Sequence, residues 1–258
     1  MARTISVIGL EKIGLVKPGD NVGRLILDSL KAEEQELMDN DVVVVSHKII
    51  SKADGLLVDI STVKPSRRTI LISKRTKKDP RLIELILKDS AKILRADHQA
   101  LIVQRKDGFV CLNAGVDKSN VRGRTVYSRL PDNPNESARQ LRIRLEKTSG
   151  RRIAVIVGDT YSRPSRVGQI EFAIGISGIE PIVDYRGQED LFGYELRYKF
   201  VGLADEVAAA AELVMGQGTE QVPVAIVRGL SRLVRTVSRN GSKKLLLGRR
   251  RDLFSKII

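Results

Sequence analysis

The sequence predicts an α+β fold, on three observations. Strand-like and helix-like segments alternate irregularly, with no repeating strand–helix unit. Neighbouring apolar runs are joined by hairpin-type turns, so mixed and antiparallel sheets are expected. No internal repeat, low-complexity stretch or linker marks off serial modules, so any second domain is interleaved with the first.

Taken in order, residues 4–10 read as a strand and residues 20–37 as a helix with Val22, Leu25, Ile26 and Leu30 on one side. Val42 to Val45 form a short continuous apolar run that suits a strand buried on both faces. A turn-prone stretch at 51–55 follows. Asp79-Pro80 is a helix-start signal ahead of the apolar stretch 82–87, because proline is tolerated at the first helical position. Residues 100–104 and 109–112 flank Asp107-Gly108, a pair suited to a tight hairpin turn. Residues 134–147 predict a surface helix, and 152–157 a strand ending at Gly158-Asp159-Thr160. The segment 172–179 is small and apolar, too glycine-rich for a comfortable helix. Residues 205–215 predict an alanine-rich helix stopped by Gly216, and 224–227 a closing strand.

Composition narrows the function classes. A chain of 258 residues with 42% hydrophobic content can bury one large or two small cores. Its longest apolar runs fall far short of the roughly 20 residues that span a bilayer. The start of the chain lacks the pattern of a secretory signal, and Cys111 as the sole cysteine allows no intrachain disulfide; a reducing cytoplasm is the expected setting. The net charge of +14 invites a nucleic-acid reading, but its distribution matters more. From Arg228 onward ten basic residues face one acid, a local +9, and the rest of the chain carries only +5.

Three segments could carry chemistry. Asn113-Ala114-Gly115-Val116-Asp117-Lys118-Ser119-Asn120 packs carboxamide, carboxylate and hydroxyl oxygens that suit Mg²⁺ or Mn²⁺, although the same residue types also simply make turns. Gly158-Asp159-Thr160 puts an acid directly after an apolar strand, where it is either a rigidly held ligand or a cap; Arg163 and Arg166 beyond it suit phosphate or carboxylate, or plain solvated surface. Gly216-Gln217-Gly218-Thr219-Glu220-Gln221 lets backbone approach a nucleotide, yet it follows a helix, whereas a P-loop precedes one. Ser46 and Lys52 bracket the loop expected after the tetravaline strand, where a lysine can pair with phosphate. The two histidines, His47 and His98, are too few for a histidine-rich metal site, and Cys111 reads as a packing residue.

In order and spelling, these segments resemble the coenzyme F420:L-glutamate ligases. The resemblance covers roughly residues 8–230, and Asn-Ala-Gly-Val-Asp-x-Ser-Asn at 113–120 is its most specific part. It implies a GTP-dependent addition of L-glutamate to the carboxylate of a deazaflavin coenzyme precursor through an acyl phosphate, with Mg²⁺ or Mn²⁺ and a monovalent cation as cofactors. It implies metal ligation by Asp117, Asp159 and Thr160. It implies nucleotide contacts at Ile13, Gly14, Leu15, Val16, Ser46, His47, Lys52, Asn120 and at Met215, Gly216, Gln217, Gly218, Thr219, Glu220, Gln221 and Val222. Asp117, Asp159 and Lys52 are then the catalytic groups, Lys52 adding positive charge near the phosphates. The two acids are expected to meet and share the cation. A homodimer with two interlocked α+β subdomains is implied, residues 1–230 forming the catalytic unit and 231–258 a basic extension. Two departures stand out, Ser162 where the family often has glycine and Ser165 where it often has an aromatic. A different carboxylate acceptor and a basic nucleic-acid-binding protein are the alternatives.

Overall fold

The computed structural model describes residues 3–163, 165–230 and 241–248. Within them the α+β class holds: helices accompany mixed and antiparallel sheets, and no barrel closes. In chain order come β1 (Ser6–Gly9), α1 (Val22–Ala32), β2 (Val42–Ser46), α2 (His47–Ala53), β3 (Leu57–Asp59), α3 (Arg67–Thr76), α4 (Pro80–Lys88), β4 (Ser90–Ala96) and β5 (Leu101–Arg105). These are followed by β6 (Val110–Leu112), β7 (Val126–Ser128), α5 (Pro134–Ser149), β8 (Ala154–Ser162), β9 (Gln169–Ser177), β10 (Val183–Asp184), β11 (Phe200–Val201), α6 (Leu203–Met215) and β12 (Val224–Arg228). No described helix is long and apolar enough to cross a membrane.

The described residues fall into two units. The first takes 3–16, 20–49, 133–163, 165–230 and 241–245; the second takes 17–19, 50–132 and 246–248.

The first unit is built on a five-stranded mixed sheet of order β1-β12-β2-β8-β9, in which only β2 and β8 run parallel. Its centre is the tetravaline run, whose four side chains are completely buried because both faces are covered. Helix α6 lays Leu203, Ala204, Val207, Ala208, Ala211 and Met215 on the face that carries Val42, Val44, Ala154 and Ile156. Its alanines let the helix lie close to the sheet. Helix α5 covers β8 and β9 from the other side, and Gly175 permits it, since a Cβ there would lie 2.2 Å from the Pro134 carbonyl oxygen.

Helix α1 stops at Ala32, five residues short of the expected end at residue 37. Glu34 adopts a left-handed φ of 54° and the Gln35 amide donates back to the Leu30 carbonyl at 2.8 Å, a closing turn that the apolar pattern does not reveal. The turn frees Glu33 to accept the amides of Glu11 (3.3 Å) and Lys12 (3.0 Å), which fixes the entry to residues 13–16.

Two polar ties hold the edges of this unit. Arg228 donates to both carboxylate oxygens of the buried Asp41, at 2.9 and 2.8 Å. Asn135 Oδ1 accepts the amides of Ile176 (3.0 Å) and Ser242 (2.9 Å), and Ser242 Oγ donates to the Ile174 carbonyl at 2.8 Å. The short turn Gly241–Leu245 therefore belongs to the body of the unit. Of the basic tail, Lys243 and Lys244 are described and Lys244 pairs with Glu180 at 2.7 Å; Arg232, Arg235, Arg239, Arg249, Arg250, Arg251 and Lys256 lie outside the described residues.

The second unit packs α3 and α4 with the meander β4-β5-β6 and the pair β3-β7 around Ile60, Ile72, Ile83, Ile86, Leu101 and Val103. Asp79 caps α4 as expected, and Gly108 makes the β5–β6 turn at a φ of 101°. Helix α3 and strand β4 are not legible in the chain's periodicity and add to the predicted set.

Candidate active site

The chemistry-bearing residues of the first unit gather along β8 beyond the core. Here one expectation is corrected. Gly158-Asp159-Thr160 does not end the strand, which continues to Ser162 paired with β9, across a register shift between Val157 and Gly158. The shift re-aims the following side chains. Gly158 leaves a niche that the Glu171 side chain fills from β9, since a Cβ at 158 would lie 2.2 Å from Glu171 Oε1.

Asp159 accepts the Thr160 amide at Oδ1 (2.9 Å), and His47 Nε2 lies 3.2 Å from the same oxygen. Both contacts fall on Oδ1. Thr160 Oγ1 donates to Gln217 Oε1 at 3.3 Å, and Gln217 Nε2 donates to Glu212 Oε1 at 2.8 Å. Glu212 Oε2 in turn accepts the Glu171 amide at 2.8 Å. Glu171 is 4% exposed. Its burial, then the charges of Asp159 and Glu212, push its pKa up to about 8 against the opposing pull of Lys48 and a Gln217 hydrogen bond. Glu171 thus feels the charges of Asp159 and Glu212 against that of Lys48, and such a perturbed group marks this stretch of β8 and β9 as a candidate site.

Two loops of this unit carry predicted nucleotide contacts. In residues 13–16, Ile13 and Val16 are buried anchors, Gly14 takes a φ of 71° and Leu15 stands out into solvent. In residues 215–222, Met215 and Val222 are the buried ends and the residues between are accessible. Gly216 is left-handed and the Glu220 carboxylate lies across it, accepting the Gly218 amide at 2.7 Å; a Cβ at 216 would strike that carboxylate.

In the second unit, Asn113, Ala114 and Gly115 take three successive left-handed conformations, with φ of 52°, 56° and 71°. The cost of this for two non-glycine residues is met by Arg105, a buried side chain held by Asp107 that donates to the Ala114 carbonyl at 3.0 Å. The loop delivers Asp117, whose backbone bridges Ser128. Asp117 Oδ1 accepts the amides of Lys118 (2.7 Å) and Ser119 (3.1 Å), and Oδ2 accepts the Ser119 hydroxyl. Asn113 Oδ1 is buried with no hydrogen-bond partner among the described residues. Lys52 is not in a loop as expected: residues 47–53 form α2, and Lys52 sits in its last turn.

A family model described as F420-0:Gamma-glutamyl ligase matches residues 11–229. The chain belongs to this family. It is 42% identical over 250 residues to the Coenzyme F420:L-glutamate ligase of Methanothermobacter thermautotrophicus, covering 97% of this chain and 98% of the relative. It is 41% identical to the enzyme of the same name from Methanopyrus kandleri, covering 93% of each chain, and 40% identical to that of Methanocaldococcus jannaschii, covering 88% of each.

Of the residues that the family resemblance singles out, the first unit holds Ile13, Gly14, Leu15, Val16, Ser46, His47, Asp159, Thr160 and the loop 215–222, and it brings His47, Asp159, Thr160 and Gln217 together. Lys52, Asp117 and Asn120 belong to the second unit. Sequence reasoning missed Glu171 and Glu212. Each carries a signal in retrospect: a lone acid inside an apolar strand, and an acid in the last turn of a helix, against the sign of its dipole. Among the described residues no three His, Cys, Asp or Glu side chains form a metal cage by themselves.

Proposed function

We propose that the chain is a GTP- and divalent-cation-dependent ligase that adds L-glutamate to the carboxylate of a deazaflavin coenzyme precursor. One observation carries this reading: in a member of this family, the Thr160 hydroxyl, next in the chain to the Asp159 carboxylate, is tied by a hydrogen bond to the glycine-rich loop 215–222. Carboxylate, hydroxyl and carboxamide oxygens are hard donors, and Mg²⁺ or Mn²⁺ is commonly held by one or two carboxylates with phosphate and water completing the shell. The residues present fit such an ion better than a closed cage would.

The chemistry divides into two steps. The acceptor carboxylate attacks the γ-phosphorus of GTP and GDP leaves; the glutamate amine then attacks the acyl carbon, phosphate leaves with the C–O electron pair, and the amine gives up a proton. Neither step needs a protein nucleophile, in keeping with two histidines and a single buried cysteine. Asp159 and Thr160 would hold the divalent cation, which when bound neutralises phosphate charge. The left-handed Gly216 and the backbone of loop 215–222 approach the nucleotide, with residues 13–16, Ser46 and His47 as further contacts. Within the second unit we assign a cation-ligating role to Asp117 and nucleotide contacts to Lys52 and Asn120. A monovalent cation completes the proposed cofactors, and a reducing cytoplasm is the proposed setting.

A homodimer is proposed on one surface of the first unit. The arm 183–201 pairs Val183 with Val201 and Asp184 with Phe200, and exposes Tyr185, Leu191, Phe192, Tyr194, Tyr198 and Phe200. Half of the chain's ten aromatic residues lie here, and a two-stranded ribbon is marginal in water without a partner. The arm carries four acids against three bases in a chain of net +14, so it is a place where two copies meet without repulsion. Large side chains of about 150–250 Å² each supply the roughly 800 Å² per partner of a standard interface.

The test of the activity is acceptor-dependent. Purified protein with Mn²⁺, GTP, glutamate and the coenzyme precursor is expected to release GDP and phosphate and to yield a product heavier by one glutamate. Release with another carboxylate but none with this precursor moves the reading to a different acceptor, the outcome that Ser162 and Ser165 would favour.

A further inference from the structure

Loop 215–222 meets β8 through the Gln217 side chain, and what that side chain presents depends on which way its carboxamide faces. Its Nε2 donates to Glu212 Oε1 at 2.8 Å. With the amide nitrogen turned toward that acid, the amide oxygen is left toward Thr160 Oγ1, 3.3 Å away. The reverse orientation would set a carbonyl oxygen against the Glu212 carboxylate.

Glu212 is the hub of this arrangement. One oxygen holds Gln217 and the other accepts the Glu171 amide at 2.8 Å, so strand β9, helix α6 and the loop are locked to one carboxylate. Only a carboxylate can accept both bonds, because a carboxamide would turn its own N–H groups toward one of the two donors. The position is a poor one for stability. Glu212 lies in the last turn of α6, at the negative end of the helix dipole, and shares its surroundings with Asp159 and Glu171. A side chain held against its local electrostatics is explained by what it orients.

We propose that Glu212 is a positioning residue, which fixes the Gln217 carboxamide so that its oxygen stays turned toward Thr160 at the cation and nucleotide end of the site. This rests on the reading of Thr160 and loop 215–222 as the cation and nucleotide end of the site.

The experiment measures binding to the full chain, with Mn²⁺ followed by electron paramagnetic resonance and GDP by calorimetry, alongside ligand-free melting. Glu212→Gln is expected to weaken Mn²⁺ binding in the presence of GDP by about tenfold or more, as loss of an outer-shell partner does. Its ligand-free melting temperature is expected to equal or exceed that of the parent. Gln217→Ala is expected to show the same loss, and the double variant no further loss, because both act through one contact. Glu212→Asp keeps the charge but falls one methylene short of spanning both donors, and it serves if the first variant fails to fold; the same loss is expected. Parent-like affinity in Glu212→Gln, additive losses in the double variant, or a fall in affinity matched by a fall in melting temperature would each overturn the positioning role while leaving the functional reading intact. Absence of Mn²⁺ and GDP binding by the parent chain overturns both.

Discussion

Replacing Glu171 with glutamine isolates the electrostatic strain stored beside β8. The carboxyl ordinarily titrates near 4.5 and is raised in the folded chain to about 8, by burial first and by Asp159 and Glu212 second. A raised carboxyl pKa means that the folded state holds the proton more tightly than the unfolded one. Its contribution is therefore fully present below pH 4.5 and is lost as pH rises to about 8, the folded value. At about 1.4 kcal/mol per pH unit this window corresponds to an upper figure of about 5 kcal/mol. Relaxation around the charged form brings the expected loss to about 2–3 kcal/mol, or about 4–12 °C in melting temperature for a chain of this size. The assay is thermal and urea unfolding of ligand-free protein at pH 5 and pH 9, for the parent and Glu171→Gln, which is isosteric and keeps the Gly158 niche filled. The parent is expected to be less stable at pH 9, and the variant is expected to lose most of that difference and exceed the parent at the higher pH. Equal pH dependence in the two proteins, or a variant weaker at pH 9, would refute the reasoning.

Asp159→Asn and Asp117→Asn are each expected to lower acceptor-dependent GDP release by several orders of magnitude with the far-ultraviolet circular dichroism unchanged; near-normal turnover in either removes that residue from the cation site. Asn135→Ala strands the amides of Ile176 and Ser242, and is expected to cost about 2–4 kcal/mol in urea unfolding. Arg228→Ala leaves the Asp41 carboxylate buried without its ion-pair partner, and is expected to cost about 3–5 kcal/mol in the same measurement. Phe192→Ser combined with Tyr198→Ser is expected to convert a dimer to a monomer in sedimentation velocity without changing the melting of the first unit, and an unchanged sedimentation coefficient removes the arm from the interface.

The sequence made the core strands and capped helices legible because their signals are local. Four consecutive valines demand burial on both faces, Asp79-Pro80 sets a helix start, and Gly216 ends α6. Helix α3 was missed although Ser66 caps it, because its apolar residues are few among arginines and lysines. The end of α1 was misjudged because it depends on Glu34 turning left-handed, a choice made by the Glu33 contacts with a distant segment. The site divides the same way. Asp159, Thr160, Asp117 and loop 215–222 were legible as spelling, since they sit in short motifs. Glu171 and Glu212 were not, because their proximity to Asp159 is produced by strand register, a bulge and the docking of a helix, none of which is written in consecutive residues.

The placement of β12 between β1 and β2 has a consequence for biosynthesis. Residues 6–9 and 42–46 leave the ribosome early, yet the strand that joins them arrives only at residues 224–228. For most of translation the valine-rich β2 therefore has one edge without its native neighbour, a sticky template of the kind that chaperones shield. Residues 50–132 make their own sheets meanwhile, so the sheets of the inserted segment can form before the first unit's sheet is complete. Such long-range closure favours slow maturation, and a ribosome stalled before residue 224 would leave a product prone to clump rather than a shorter working enzyme.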